Sequence, residues 1–341
     1  METQVLTIHP EHPEPEVISQ AVDVLRRGGL VAFPTETVYG IGANAIDAEA
    51  AQGIFNAKGR PAKNPLIVHL PHAEAVHQVA LCWPEEAKRL AERFWPGPMT
   101  LVLPKKPCVP ATVTGGGQTV AVRVPAHPVA QALLQAIDLP IAAPSANRSS
   151  RLSPTEAKHV LRNLEGRIHM LLDGGPTPRG IESTVIDLSV PAPRLLRPGM
   201  IGVDAIEQTL GRRVEQVAKI QAEQGQPMLS PGMMERHYSP YSPLELTESN
   251  ESGRHLVEQM VTTGQRVGWV PIGSRDAFAP SGKVIVMPLP PDPVKYSQRF
   301  YATLHTLDLL NPARIFATLP PDLPEWLAVR DRLLRAAFST H

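Results

Sequence analysis

The stretch Lys58-Gly59-Arg60-Pro61-Ala62-Lys63-Asn64-Pro65 sets three cations and an amide within seven positions, and no Asp or Glu occurs from Ala50 to Ala73. A solvated surface mixes charge signs, and Gly with Pro excludes a regular helix through these residues. The stretch is expected to form a rigid basic loop that holds an anion, phosphate above all, because guanidinium and ammonium groups make charge-assisted bonds to it. An exposed basic turn is the plainer alternative.

Four further polar clusters accompany it. Thr35-Glu36-Thr37-Val38-Tyr39-Gly40 follows an apolar strand, and open α/β sheets bind ligands at carboxyl ends of strands. Arg123 alternates with Ala121, Val122 and Val124; buried there, it needs an anionic partner. Pro144-Ser145-Ala146-Asn147-Arg148-Ser149 offers small hydroxyl and amide groups suited to phosphate, and Gly180-Ile181-Glu182-Ser183-Thr184 is followed by Arg197-Pro198-Gly199. Each cluster, taken singly, also fits an ordinary turn. His69 ends a short strand beside the basic loop, where a structural histidine is the plainer reading.

Twelve histidines never form an H-x-x-x-H pair, so no resident metal is expected. Spacing supports neither a Ser-His-Asp nor a Cys-His arrangement, which leaves covalent catalysis without support. Lys, Arg, Ser, Thr and Asn together point to positioning and charge stabilisation of a phosphoryl group. Gly40-Ile41-Gly42-Ala43-Asn44-Ala45 matches G-x-G-x-x-A, but the acid expected about 20 residues later is missing, so a nicotinamide or flavin role is set aside. No Walker loop occurs.

The elements that must carry these clusters follow from periodicity. Helices are expected at 17–27, 48–58, 85–94 and 129–137, and another from the Ser153-Pro154-Thr155-Glu156 start signal. Strands are expected at 30–34, 66–70, 101–103, 119–124, 140–143, 170–173 and 184–188. This mixed alternation predicts an α/β domain ending near Met200. Gln-, Gly-, Pro- and Ser-rich pieces across 211–243 read as an interdomain linker. Beyond it, strands at 244–246, 266–271, 284–287 and 315–318 alternate with helices at 253–263, 294–310 and 325–337, predicting a smaller α/β domain with a mostly parallel sheet.

Bulk properties narrow the class. The 341 residues suffice for two domains, and 43% apolar content supports a real core. Lys+Arg and Asp+Glu both number 33, so net charge gives no argument for a nucleic-acid or membrane partner. Cys82 and Cys108 have no metal-type spacing and fit a reducing, cytoplasmic setting. The first 17 residues are acidic and proline-containing, unlike a signal peptide, and no 18-residue apolar run follows. The 37 prolines are spread along the chain and suggest stiff loops.

In order and spacing, Phe33-Pro34-Thr35-Glu36-Thr37-Val38-Tyr39-Gly40, Lys58-Gly59-Arg60, Asn64-Pro65-Leu66, Trp95-Pro96-Gly97-Pro98, Val122-Arg123-Val124-Pro125, Ala143-Pro144-Ser145-Ala146-Asn147, Glu182-Ser183-Thr184 and Arg197-Pro198-Gly199 resemble the YrdC-domain threonylcarbamoyl-AMP synthases. The run Ser230-Pro231-Gly232-Met233 with His237-Tyr238, and the α/β part after it, resemble the long, two-domain form. The resemblance implies a twisted open mixed sheet with a basic concave cleft over 10–205. It also implies a linker at 206–243 folding over the active site, and a smaller Rossmann-like α/β domain at 244–341.

The implied activity is an adenylyl transfer: L-threonine, bicarbonate and ATP give threonylcarbamoyl-adenylate and pyrophosphate, toward N6-threonylcarbamoyladenosine in tRNA. By resemblance, Thr35, His69, Arg123, Ala143 (through its backbone) and Ser183 hold threonine. Lys58, Arg60, Ala62, Thr119, Ser145, Asn147, Ser153, Arg197 and Tyr238 line the ATP side, with Lys58, Arg60, Ser145 and Asn147 catalytic. Mg²⁺ is expected to arrive with ATP, the product to pass to a threonylcarbamoyl-transferase complex, and any tRNA contact to be weak. Two other classes stay open: a carbamoyltransferase using the same domain, as in hydrogenase maturation, and an RNA-binding module. The first normally carries zinc-finger segments, for which this chain has no CxxC pairs; the second fits poorly with zero net charge.

Overall fold

The computed structural model describes residues 1–216, 237–273 and 282–337. It divides into two units. The first comprises Met1–Ser149, Pro154–Pro178 and Glu182–Met233; the second comprises Ser150–Ser153, Arg179–Ile181 and Met234–His341. Most of the linker segment, 217–236, lies outside the described residues, and with it Ser230-Pro231-Gly232-Met233.

In the first unit, β1 (Gln4–Thr7) leads to α1 (Pro15–Arg26), β2 (Val31–Phe33), β3 (Gly40–Asn44), α2 (Ala48–Lys58) and β4 (Ile67–His69). A 3-10 turn then precedes α3 (Glu85–Phe94), β5 (Met99–Pro104), α4 (Ala111–Thr114), β6 (Thr119–Arg123), α5 (Pro128–Ile137) and β7 (Ile141–Ala142). The unit continues with α6 (Ala157–Leu164), β8 (Met170–Asp173), β9 (Thr184–Asp187), β10 (Arg194–Arg197), α7 (Val203–Leu210) and β11 (Glu215–Gln216). The strands form one mixed sheet in the order β1-β8-β2-β3-β7-β4-β6-β5-β9-β10-β11.

Helix α1 buries Ile18, Ala21, Val22 and Leu25 at helical spacing, and α5 buries Val129, Ala130, Leu133, Leu134 and Ile137. Both stripes join Val31, Phe33, Ile141, Met170 and Leu172 in one apolar cluster on the sheet. Helix α2 is fixed at both ends. The Asp47 carboxylate accepts the Glu49 and Ala50 amides, and Gly59 at φ 62° closes the C-terminus in the left-handed region. The helix therefore stops with Lys58 as its last residue.

The Gly40–Ala45 segment, whose G-x-G-x-x-A match was set aside, carries a strand that was not foreseen: β3 pairs antiparallel with β2 and with β7, and a Cβ on Gly42 would stand 2.8 Å from Phe33 Cε1. Helix α6 starts at Ala157 rather than beside Ser153. There the Pro154 carbonyl accepts the Tyr39 amide and the Thr155 carbonyl accepts the Thr177 amide, so the backbone serves neighbouring segments instead of a helix. Strands β1 and β10 and helix α7 were not foreseen. Each is short, and each takes its order from its neighbours: β1 from β8, β10 from β9.

In the second unit, β12 (Leu244–Thr247), α8 (Asn250–Thr262), β13 (Val267–Val270), β14 (Val284–Val286), α9 (Pro293–Leu309), β15 (Arg314–Thr318) and α10 (Leu327–Ala337) alternate. Every described strand pair is parallel, in the order β12-β15-β13-β14. Trp269, Val257, Val267 and Phe316 form its buried cluster. Among the described residues no helix is long and apolar enough to cross a membrane.

Candidate functional site

Strand β4 is only three residues long, and the site residues of the first unit gather at its two ends. It pairs parallel with β6, setting His69 beside Arg123, and antiparallel with β7, setting Val68 beside Ala142. The amide of Ala143 donates to the Ile67 carbonyl at 2.8 Å. The turn Thr35–Tyr39 between β2 and β3 links both ends: Tyr39 O accepts the Ala146 amide, while Glu36 and Thr37 reach Arg123.

Before β4 stand Lys58, Arg60, Ser145 and Asn147. Lys58 is buried, not looped out, and its Nζ donates to the Ser145 and Asn147 carbonyls, each at 2.5 Å. Burial, with Arg60 and Arg148 nearby, pulls its pKa well below the ordinary 10.5. The Arg60 guanidinium is buried as well, with Nε on Asn64 O at 3.0 Å and Nη2 on Asn64 Oδ1 at 2.6 Å and Pro65 O at 2.8 Å. Both findings disfavour the alternative of an exposed basic turn at Lys58 and Arg60. The two cations are built into the fold, and the loop beyond Arg60 leaves Pro61, Ala62 and Lys63 exposed. Thr119, half-buried at the start of β6, pairs with Pro104.

After β4 the chemistry changes. Arg123, 4% exposed, forms an ion pair with Glu36, Nη2 to Oε1 at 2.6 Å. Its Nη1 donates to Thr37 Oγ1 at 3.1 Å and its Nε to Gly97 O at 3.2 Å. Thr35 Oγ1 donates to Val38 O at 2.7 Å and lies 2.8 Å from Thr37 Oγ1, which fixes the turn. His69 is buried at Arg123's side, and among the described residues its Nδ1 has no hydrogen-bond partner. Burial, reinforced by Arg123, pushes its pKa from 6.5 down to about 3, so the imidazole is neutral near pH 7.

Ser183, fully buried, completes this end. Its Oγ lies 2.8 Å from Thr100 Oγ1 and accepts from Arg197 Nη2 at 2.9 Å, while its carbonyl accepts from Arg197 Nε at 3.0 Å. Arg197 is thus bonded to both the backbone and the side chain of Ser183. A Cβ on Gly199 would meet the Thr184 amide at 2.4 Å, so glycine is required where the Arg197-Pro198-Gly199 turn crosses β9. Thr100, Gly97 and Glu36 are the contributors that site-residue reasoning missed. Glu36 lay in plain view as the one acid between two threonines at a strand end.

Ser153 and Tyr238 belong to the second unit. The Ser153 carbonyl pairs with His305 Nε2 at 3.1 Å. Tyr238 is buried at φ 63° with the His237 ring 3.9 Å away and the Arg332 guanidinium 5.1 Å from its centroid. Among the described residues no cluster of His, Cys, Asp and Glu could hold a metal ion.

A family model described as "Telomere recombination" matches residues 23–199, and one described as "Threonylcarbamoyl-AMP synthase, C-terminal domain" matches 201–338. The threonylcarbamoyl-AMP synthase of Bacillus subtilis (strain 168) is 42% identical over 94% of this chain and 92% of its own length. That of Pyrococcus abyssi (strain GE5 / Orsay) is 47% identical over 75% of this chain and 77% of its own. The crystal structure of P. abyssi Sua5 complexed with L-threonine superposes with TM-score 0.90 at 41% identity, covering 98% of each chain. E. coli YciO superposes with TM-score 0.54 at 26% identity, covering 60% of this chain and 99% of its own. Because both models match in order along one chain, and the Bacillus subtilis relative aligns over most of both chains, the chain belongs to the threonylcarbamoyl-AMP synthase family in its long, two-domain form.

Proposed function

We infer that this chain joins L-threonine, bicarbonate and ATP into L-threonylcarbamoyl-adenylate, releasing pyrophosphate. The observation that carries this reading is the two-ended site on β4: buried cations beside a Ser/Asn loop at one end, and a charge-balanced arginine beside a buried neutral histidine at the other. An amino acid needs the second kind of site and a triphosphate the first.

The amine of threonine and bicarbonate condense to a carbamate with loss of water. A carbamate oxygen then attacks the α-phosphorus, the P–O bond to the β-phosphate breaks, and pyrophosphate leaves. Two anions must approach one another, so the protein's task is to supply cations and exclude competing water. Arg123 faces the threonine carboxylate, and neutral His69, Thr35, Ser183 and the Ala143 backbone hold the rest of the amino acid. Lys58, Arg60, Ala62, Thr119, Ser145, Asn147 and Arg197 line the nucleotide. Arg197, bonded to Ser183, stands where the carbamate meets the phosphate. Ser145 and Asn147 bring neutral oxygens, donors that suit Mg²⁺ delivered on the triphosphate, where it offsets phosphate charge. The product is a mixed anhydride, suited to handing its threonylcarbamoyl group to a transferase acting on tRNA.

Incubation with L-threonine, bicarbonate and Mg-ATP tests this. Pyrophosphate release that requires both threonine and bicarbonate, with a labile labelled adenylate recovered by rapid chromatography, is the expected result. ADP and phosphate as products, or turnover indifferent to threonine, would overturn it.

A further inference from the structure

A guanidinium carries five N–H donors. In the Arg123 side chain Nε is committed to Gly97 O, Nη1 to Thr37 Oγ1 and Nη2 to Glu36 Oε1. Among the described residues one N–H remains on each terminal nitrogen, enough donors for the two oxygens of a carboxylate. The other Glu36 oxygen accepts the Ala126 amide at 3.0 Å, just past the strand that carries Arg123. Glu36 is 4% exposed, so this clamp operates away from bulk solvent. A carboxylate here does two things: it fixes which edge of the guanidinium is spent, and it cancels the charge of an otherwise lone buried cation.

We propose that Glu36 is the positioning residue for Arg123, and that the pair makes an α-carboxylate a requirement for the amino-acid substrate. The proposal rests on the reading of Arg123 as the threonine-carboxylate ligand. A lone buried arginine would attract any small anion, bicarbonate and phosphate included. An arginine already balanced by Glu36 gains little from charge alone and rewards a ligand that fits its two remaining donors. Glu36 acts through Arg123 and does not itself touch the reacting atoms.

The test compares L-threonine with L-threoninamide, which keeps the amine to be carbamoylated and lacks the carboxylate. Pyrophosphate release gives kcat and KM for each, and for ATP. In E36A the threonine KM should rise about tenfold or more and the threonine-over-threoninamide preference should shrink by a similar factor, with the ATP KM within about twofold of the parent. E36Q, which keeps an acceptor for Arg123 but loses the charge and the Ala126 contact, should fall between. Should E36A fail to fold, E36Q and E36D carry the test by the preference ratio alone. An unchanged ratio in the Glu36 variants, or an ATP KM that rises in step with the threonine KM, overturns the proposal. R123K separates the two levels. If it loses the preference while the Glu36 variants keep it, Glu36 alone is misread; if it keeps the preference, the reading of Arg123 is wrong and the proposal falls with it.

Discussion

At one end of β4 a buried lysine faces two peptide carbonyls; at the other a buried arginine faces a carboxylate. Carbonyl dipoles satisfy the Lys58 donors without cancelling the charge; burial, with Arg60 and Arg148 adding to the positive field, pulls its pKa down. That end is electrically incomplete and gains most when a highly charged anion arrives. The Arg123 end is already balanced by Glu36 and discriminates by the geometry of the donors it has left. Two cations of equal burial therefore do different work, and the difference lies in their partners.

Breaking the balanced end should cost most. Arg123→Met leaves the Glu36 carboxylate buried without its guanidinium, a loss of about 3–5 kcal/mol. Urea denaturation measures it, and adding E36Q should recover a large share, because the pair is then removed together. Additive losses in the double variant would show that the two side chains are not coupled.

Lys58→Met should cost less, about 2–3 kcal/mol, since it strands two carbonyl acceptors but no charge. Activity should nonetheless fall further than stability, because the phosphate end loses its incomplete charge. A fully stable Lys58→Met protein would mean that the Ser145–Asn147 loop holds its shape unaided.

The third test sharpens the comparison through pH. The folded pKa of His69 lies near 3, below the ordinary 6.5, so the unfolded chain takes up the proton first. Stability from this group is complete above about pH 6.5 and declines as pH falls from there toward about 3. At pH 5 the loss is about 2 kcal/mol. His127 and His159 shift in the same direction, so the wild-type difference between pH 7.5 and pH 5 exceeds that of one residue. His69→Asn should remove the His69 share, visible as a smaller drop in Tm between the two pH values. An unchanged drop would place His69 in contact with solvent.

The sequence carried much of this architecture. Helices α2 and α3 begin and end where their caps and apolar spacing place them, because Asp47, Gly59 and the Glu85–Phe94 periodicity act locally. The strands of the second unit were legible for the same reason: apolar runs separated by helical pattern admit few other arrangements. The residues of the site were legible too, as clusters of Lys, Arg, Ser, Asn and Thr at element ends. What misled was exposure. Gly and Pro around Lys58 and Arg60 announce a loop, and no local signal says that the loop folds its cations inward onto Asn64, Pro65, Ser145 and Asn147.

Residue types and their order thus determined which groups this protein has for chemistry, since charge, donors and caps are properties of short segments. Tertiary structure alone decided how those groups pair. Arg123 meets Glu36 across 87 positions and Lys58 meets Ser145 across the same separation, contacts set by the crossing of β4, β6 and β7. No periodicity reaches that far. The partner of a buried charge is chosen by which strands lie side by side, and the partner fixes whether the charge stays free to bind an anion or is spent in holding the site together.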